Sequence, residues 1–304
     1  MTRKLLWGII VVLFITNLTS LLVWVSTKEQ SLTSSTNKLT PVVEATEEPV
    51  ALVGEEKVHH GEWMATLQEQ HGKDILMNMI DKQVVFNLAN EYEIEVSSKL
   101  IQRELALMET MLPVMEEKEI EEKRKQWEDD VRYRYYLEDL LTKDIGISEK
   151  EINTFYEDHK DQYEFRTTYQ LSHIVVPSEE VAMKIKEELD NGAKFSMLAR
   201  EYTEDTFTKD KGGYLGYFSD ESQYLPSLYY DQAESLSSGS FSEPFRTHQG
   251  YVLLQLHRTL PSITFTYEEI KEQIKREIAL DYVSDSLSAR PLWKEVGVDW
   301  IYGD

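Results

Sequence analysis

The sequence predicts an α+β chain in three parts: a membrane-crossing helix, a helical region, and a region where four strands alternate with helices. Three observations carry this. Leu5 to Val25 runs without a charge directly after the basic Arg3–Lys4, and about 20 apolar residues suffice to cross a bilayer. Apolar residues recur at helical spacing from about residue 70 to 160. Period-two runs then appear in "YQLSHIVV", "YLGYF" and "EPFRTHQGYVLLQL".

Composition narrows the function. The chain has 304 residues, 41% of them apolar, with a formal net charge of −23. That is material for about two domains with cores. Such an acidic chain cannot neutralise a phosphate backbone, so nucleic acid is excluded as a partner. There is no cysteine, which removes disulfides, thiolate metal sites, a cysteine nucleophile and a lipid-modified N-terminal cysteine.

The basic flank before the apolar run places residues 1–4 in the cytoplasm, 5–25 in the membrane and the bulk outside. The competing reading is a cleaved signal peptide, which lacks a small-x-small cleavage site here. Residues 26–49 are Ser/Thr-rich with two prolines and read as a flexible tether.

Residues 50–165 read as a helical domain. "VALVGEEKV" is a short strand and turn. Ile75, Leu76, Met79, Ile80, Val84 and Leu88 then fall at helical spacing. "SSKLIQRELALMETML" is a capped helix with Leu100, Ile101, Leu105, Met108 and Leu112 on one face. Trp127, Val131 and Tyr135 share a face of the next helix. Ser148 and Glu151 form a capping box ahead of Ile152 and Phe155.

Residues 166–261 hold the strands, in the order strand, helix, helix, strand, helix, strand, strand. Ser178 caps a helix that stops at Asn191–Gly192. "FSMLAREY" and "YLPSLYYDQAESL" are the other two helices, and Gln249–Gly250 turns the last pair of strands. In residues 262–304 a second capping box, Thr266 and Glu269, opens a helix striped with Ile270, Ile274 and Ile278. That stripe must bury, and the helical domain is its natural partner.

The usual catalytic signatures are missing: no G-x-S-x-G, H-E-x-x-H, Walker loop or G-x-G-x-x-G occurs. None of the seven histidines pairs with carboxylates at metal-ligand spacing on one helix face. His173 stands out, inside the apolar run "SHIVV". A lone strand histidine is ordinarily a hydrogen-bonded core residue, and a functional one needs partners from elsewhere.

"SHIVV", a helix, "FSMLAREYTEDTFTKDKGGYLGYF" and "EPFRTHQGYVLLQL" resemble, in order and spacing, the parvulin family of peptidyl-prolyl cis-trans isomerases over about residues 168–260. The flanking "VALVGEEKVHHGEWMATLQEQHGKDIL" and "ISEKEINTFYEDHKDQYEF" resemble the foldase domain of PrsA-like extracytoplasmic parvulins. The resemblance implies a four-stranded antiparallel sheet with helices, inserted in a helical domain built from both ends of the chain. A transmembrane anchor would replace those foldases' usual lipid. It implies no metal or cofactor, unfolded or proline-containing exported polypeptides as clients, and homodimers through the helical domain.

By position, the resemblance places His173, Asp205 and Thr247 in a polar catalytic floor, and Leu215, Phe218, Tyr224 and Leu228 in the proline pocket. Strand alternation puts Leu215 and Tyr217 on one face and Gly216 and Phe218 on the other. Four positions depart from the family. Val252 stands where it has its second histidine, Tyr214 where it has the aspartate of G-G-D-L-G, and Tyr224 and Leu228 replace pocket methionine and phenylalanine. His257, an odd number of residues from Val252, should face away. Three functions stay open: an isomerase for exported proteins, a non-catalytic holdase of parvulin shape, and a membrane-tethered scaffold with no client role.

Overall fold

A computed structural model describes residues 49–283 and 287–303. The expected anchor at 5–25 and nearly all of the tether lie outside the described residues. Among those described, no helix is long and apolar enough to cross a membrane.

The hairpin β1 (Pro49–Val53) and β2 (Glu56–His59) is antiparallel. It leads into α1 (His60–Glu91). That helix is longer than its apolar stripe suggests, because Gly61 and Gly72 lie inside it without breaking it. Val84, Val85 and Leu88 of α1 are buried, whereas Ile75 and Met79 of the expected stripe are 56% and 64% exposed. The chain divides into two units, Met1–Leu76 with Asp299–Asp304, and Met77–Val298. The second contains all that follows.

Its helical part has α2 (Ser98–Glu109), α3 (Glu117–Thr142), α4 (Glu149–His159) and α8 (Tyr267–Leu280) around one core. Leu100, Ile101, Leu105, Val131, Tyr135 and Ile152 meet Ile270 and Ile274, both wholly buried. So the tail stripe buries against helices that begin about 120 to 170 residues earlier in the chain. The capping boxes of α4 (Ser148 and Glu151) and α8 (Thr266 and Glu269) are both formed. Ser97 stands at the N-cap of α2, but its side chain makes no capping bond. Leu112 lies beyond the end of that helix, in the loop before α3.

The sheet is antiparallel and four-stranded, with β3 (Thr168–Val176) and β6 (Gly250–Leu260) paired at its centre, β4 (Tyr214–Ser219) beside β3 and β5 (Phe245–Thr247) beside β6. Both are apolar on two faces because both faces are covered. One face packs Ile174, Val176 and Leu253 under α5 (Glu179–Asp190) and α6 (Phe195–Tyr202). The other packs Leu171, Val175, Val252, Leu254 and Leu256 under α7 (Ser227–Ser235), through Tyr229 and Ala233. The edge strands are β4 and β5. Ser178 caps α5 as expected, accepting from the Val181 amide.

Candidate active site

Period-two alternation along β3 sends Ser172 and Ile174 toward the α5–α6 face and Leu171, His173 and Val175 toward α7. His173 is 5% exposed, so every polar atom of its ring must find a partner inside the protein. Nε2 lies 2.8 Å from Asp205 Oδ2 and 3.2 Å from Thr208 Oγ1; Nδ1 lies 2.9 Å from the Tyr229 hydroxyl.

These partners define the tautomer. Ionised Asp205 can only accept, so Nε2 carries the proton and donates it; Nδ1 is left to accept from the Tyr229 O–H. Burial pushes the His173 pKa down, against the smaller upward pull of Asp205, so the ring is neutral.

Asp205 is fixed by its own loop. Its Oδ1 accepts from the Phe207 amide at 3.1 Å and its Oδ2 from Thr208 Oγ1 at 2.6 Å. Burial opposes its charge, but the hydrogen bonds from Thr208, His173 and the Phe207 amide together hold the carboxyl below its usual range. The loop is stitched to β3 by Thr203, whose Oγ1 accepts from the Val175 amide at 3.1 Å, and by the Glu204 amide donating to the Val175 carbonyl at 2.8 Å. Asp205 is the ionised member that reaches the surface, with its side chain 20% exposed.

The glycine pair closes the other side. Gly213 has φ +81°, and a Cβ there would sit 2.2 Å from the His173 carbonyl oxygen. Only glycine lets the chain pass that close, in a left-handed conformation. Its carbonyl in return accepts from the His173 amide at 2.9 Å. "GG" therefore turns the chain and presses β4 onto the backbone of the histidine.

A β-bulge follows at once. Tyr214 pairs with Ser172 and Gly216 with Leu171, so Leu215 is the extra residue. Simple alternation is broken there. Leu215 packs in the α7 core, while Tyr217 packs with Phe165 and Leu260 in another. Phe218 pairs with Tyr169, itself in the α7 core. The bulge thus turns Leu215 and Phe218 to the same face as His173, contrary to strict alternation.

The remaining residues named from the sequence are less tightly joined. Thr247 Oγ1 donates to the Gly250 carbonyl and accepts from the Gln249 amide, both at 3.2 Å, binding it into its own turn. Leu228 is half-buried at the start of α7, and Tyr224, in the loop before it, is 89% exposed. Val252 is wholly buried in the α7 core. His257 is on the opposite face, with Nε2 2.7 Å from Ser172 Oγ. Tyr214 uses its hydroxyl to accept from Gln170 Nε2 at 3.1 Å and to donate to the Leu112 carbonyl at 3.3 Å. Sequence reading missed Thr208 and Tyr229. The signal was faint: Asp205-x-x-Thr208 is a turn spacing, and Tyr229 with Ala233 is a one-turn apolar pair.

Among the described residues no group of three or more histidine and carboxylate side chains could hold a metal. What remains is a histidine–carboxylate–hydroxyl network on a four-stranded antiparallel sheet, behind a glycine turn and beside an apolar face. The chain belongs to the parvulin family of peptidyl-prolyl cis-trans isomerases; residues 147–272 match the family model described as the PPIC-type PPIASE domain. YacD of Bacillus subtilis (strain 168), named as a candidate peptidyl-prolyl cis-trans isomerase, is 38% identical over 258 residues, covering 84% of this chain and 86% of that one. The foldase protein PrsA of Clostridium botulinum (strain Okra / Type B1) is 27% identical, covering 74% and 71%. A crystal structure of PrsA from Bacillus cereus aligns with 84% of this chain and 94% of its own at 23% identity, with a TM-score of 0.33.

Proposed function

We propose that the protein isomerises X–Pro bonds of exported polypeptides outside the cytoplasmic membrane, held there by its N-terminal segment with residue 1 inside. Residues 166–261 form the isomerase domain, and 50–165 with 262–304 the helical foldase domain that holds clients. The observation that carries the isomerase reading is the hydrogen-bonded set His173, Asp205, Thr208 and Tyr229 on the α7 face, with Leu215 and Phe218 turned to that face.

The reaction needs no nucleophile. An X–Pro bond rotates slowly because C–N double-bond character is lost, a barrier of about 18–20 kcal/mol. A site that binds the twisted amide better than the planar one lowers it. Leu215, Phe218 and Leu228 take the proline ring, and Tyr224, free of packing, folds onto it. His173 and Asp205 form a floor whose hydrogen bonds are already made, so they need not reorganise as the amide loses its charge separation. Thr208 and Tyr229 position that floor, and Thr247 bounds it from the β5–β6 turn.

The test is exchange of an X–Pro peptide, followed by NMR, with the full-length chain and its Asp205→Ala variant. Wild type should accelerate exchange and the variant should lose at least tenfold. If wild type matches the uncatalysed rate yet still suppresses aggregation of an unfolded client, the holdase reading replaces this one.

A further inference from the structure

A cavity of about 680 Å³ opens on the sheet face opposite His173 and touches none of the catalytic network. Its floor includes Ser172, Gln255 and His257, the outward partners of the residues that face α7. Its walls are apolar, with Phe195 of α6, Phe241, Pro113 and Val114. The volume lies in the ~300–1,000 Å³ range of ligand sites, and apolar walls around a few convergent polar groups are their usual make-up.

Two features say what fits. Lys194 and Lys211 line the cavity, are exposed, and make no ion pair among the described residues. In a chain of net charge −23, two uncompensated cations at one site attract a carboxylate. Deeper in, the groups are neutral. Gln255 lines the cavity, and its side-chain amide makes no hydrogen bond among the described residues, so its donors and acceptor are unused. A donor–acceptor amide in an apolar slot matches a peptide backbone better than a hydrocarbon chain.

We propose that this cavity is a second polypeptide-binding site, which takes a short apolar segment bearing an acidic residue, its carboxylate on Lys194 and Lys211 and its backbone on Gln255. The inference rests on the client-binding reading above for the occupant being a polypeptide. It does not depend on isomerisation. The Ser172–His257 pair serves as a neutral wall. Burial holds His257 down at about 4, which leaves it a weak base for activating a hydroxyl. The two sites lie back to back across β3 and β6, so one client can be gripped at an acidic, apolar stretch while a proline elsewhere in it is turned.

The experiment uses the full-length chain and the proline-free peptide fluorescein-Phe-Glu-Leu-Glu-Phe, with its glutamine counterpart as control. Fluorescence anisotropy should show saturable binding of the acidic peptide, at least tenfold tighter than the glutamine peptide and weakened by salt. The double variant Lys194→Glu/Lys211→Glu should lose at least tenfold, with X–Pro exchange unchanged. Asp205→Ala should lose exchange and keep the peptide. A photoreactive benzoylphenylalanine version should label Phe195, Phe241 or the Pro113 loop. No saturable binding, equal affinity for both peptides, indifference to charge reversal, or labelling confined to Leu215, Phe218 and α7 would each overturn the proposal. Loss of X–Pro exchange in wild type with peptide binding intact refutes the isomerase reading and leaves this one standing.

Discussion

Replacing Tyr229 by Phe removes one oxygen and tests the site's hidden support. Tyr229 is 1% exposed, and its hydroxyl lies 2.9 Å from His173 Nδ1. The ring meets Phe245 edge-on at 5.5 Å, a contact that Tyr229→Phe leaves in place. The lost hydrogen bond is worth about 1 kcal/mol net, but the orphaned Nδ1 of a histidine buried at 5% adds a desolvation penalty, so about 1–3 kcal/mol should disappear. Tyr229→Ala would add a cavity and cost about 3–5 kcal/mol, by analogy with aromatic truncations. Urea unfolding of the full-length chain, followed by far-UV dichroism, measures both. A companion ¹⁵N spectrum should show Nε2 protonated in wild type, since Asp205 can only accept. The reasoning is refuted if Tyr229→Phe unfolds within about 0.3 kcal/mol of wild type, or if Nδ1 carries the proton.

Three further predictions follow from the same geometry. Gly213→Ala forces a Cβ against the His173 carbonyl at φ +81°. Strain of about 1–2 kcal/mol plus the lost His173–Gly213 bond should lower both the urea midpoint and X–Pro exchange, and an unchanged midpoint would contradict the packing. Glu109 is wholly buried between Arg124 and Arg258, the latter at 3.4 Å. Glu109→Ala should cost about 3–5 kcal/mol by leaving two guanidinium groups facing each other, read in the same unfolding assay. The third concerns pH. His173 and His257 are both held neutral by burial, His257 to about 4 from 6.5, so the unfolded chain binds more protons between those values. The stability that His257 contributes is therefore complete above about pH 6.5 and is lost as pH falls toward 4, and His173, also held down by burial, adds to the loss in the same direction. Unfolding curves across that window should show His257→Gln flattening the slope, and a slope unaltered in that variant would count against it.

Local chemistry was legible in the sequence wherever it was self-contained. Ser148, Thr266 and Ser178 cap helices because cap and recipient lie within three residues. The two faces of β3 follow from period two. His173 and Asp205 were placed together by the family resemblance, since the residues alone left His173 an ordinary core histidine. The misses share a cause, which is dependence on contacts made at a distance. Thr208 and Tyr229 become partners of His173 only when a loop and a helix converge on β3. Leu215 and Phe218 share a face because one extra residue sits in β4, and no periodicity announces a bulge. Ile75 and Met79 fit a helical stripe but stay exposed, since spacing says which residues align and not whether anything covers them. Tyr214, an apparent departure from the family pattern, spends its hydroxyl between Gln170 and Leu112, a tie visible only in three dimensions.

The core that joins Leu100, Ile101 and Leu105 to Ile270 and Ile274 has a consequence for how the chain is made. A polypeptide synthesised N-terminus first presents α2, α3 and α4 long before α8 exists, so the apolar faces of those helices stand open while the whole sheet is still being made. The sheet needs nothing beyond about residue 260 to pair its strands. The protein is therefore itself, during its own synthesis, an unfinished client with an open apolar surface. α8 closes that surface only once most of the chain is made.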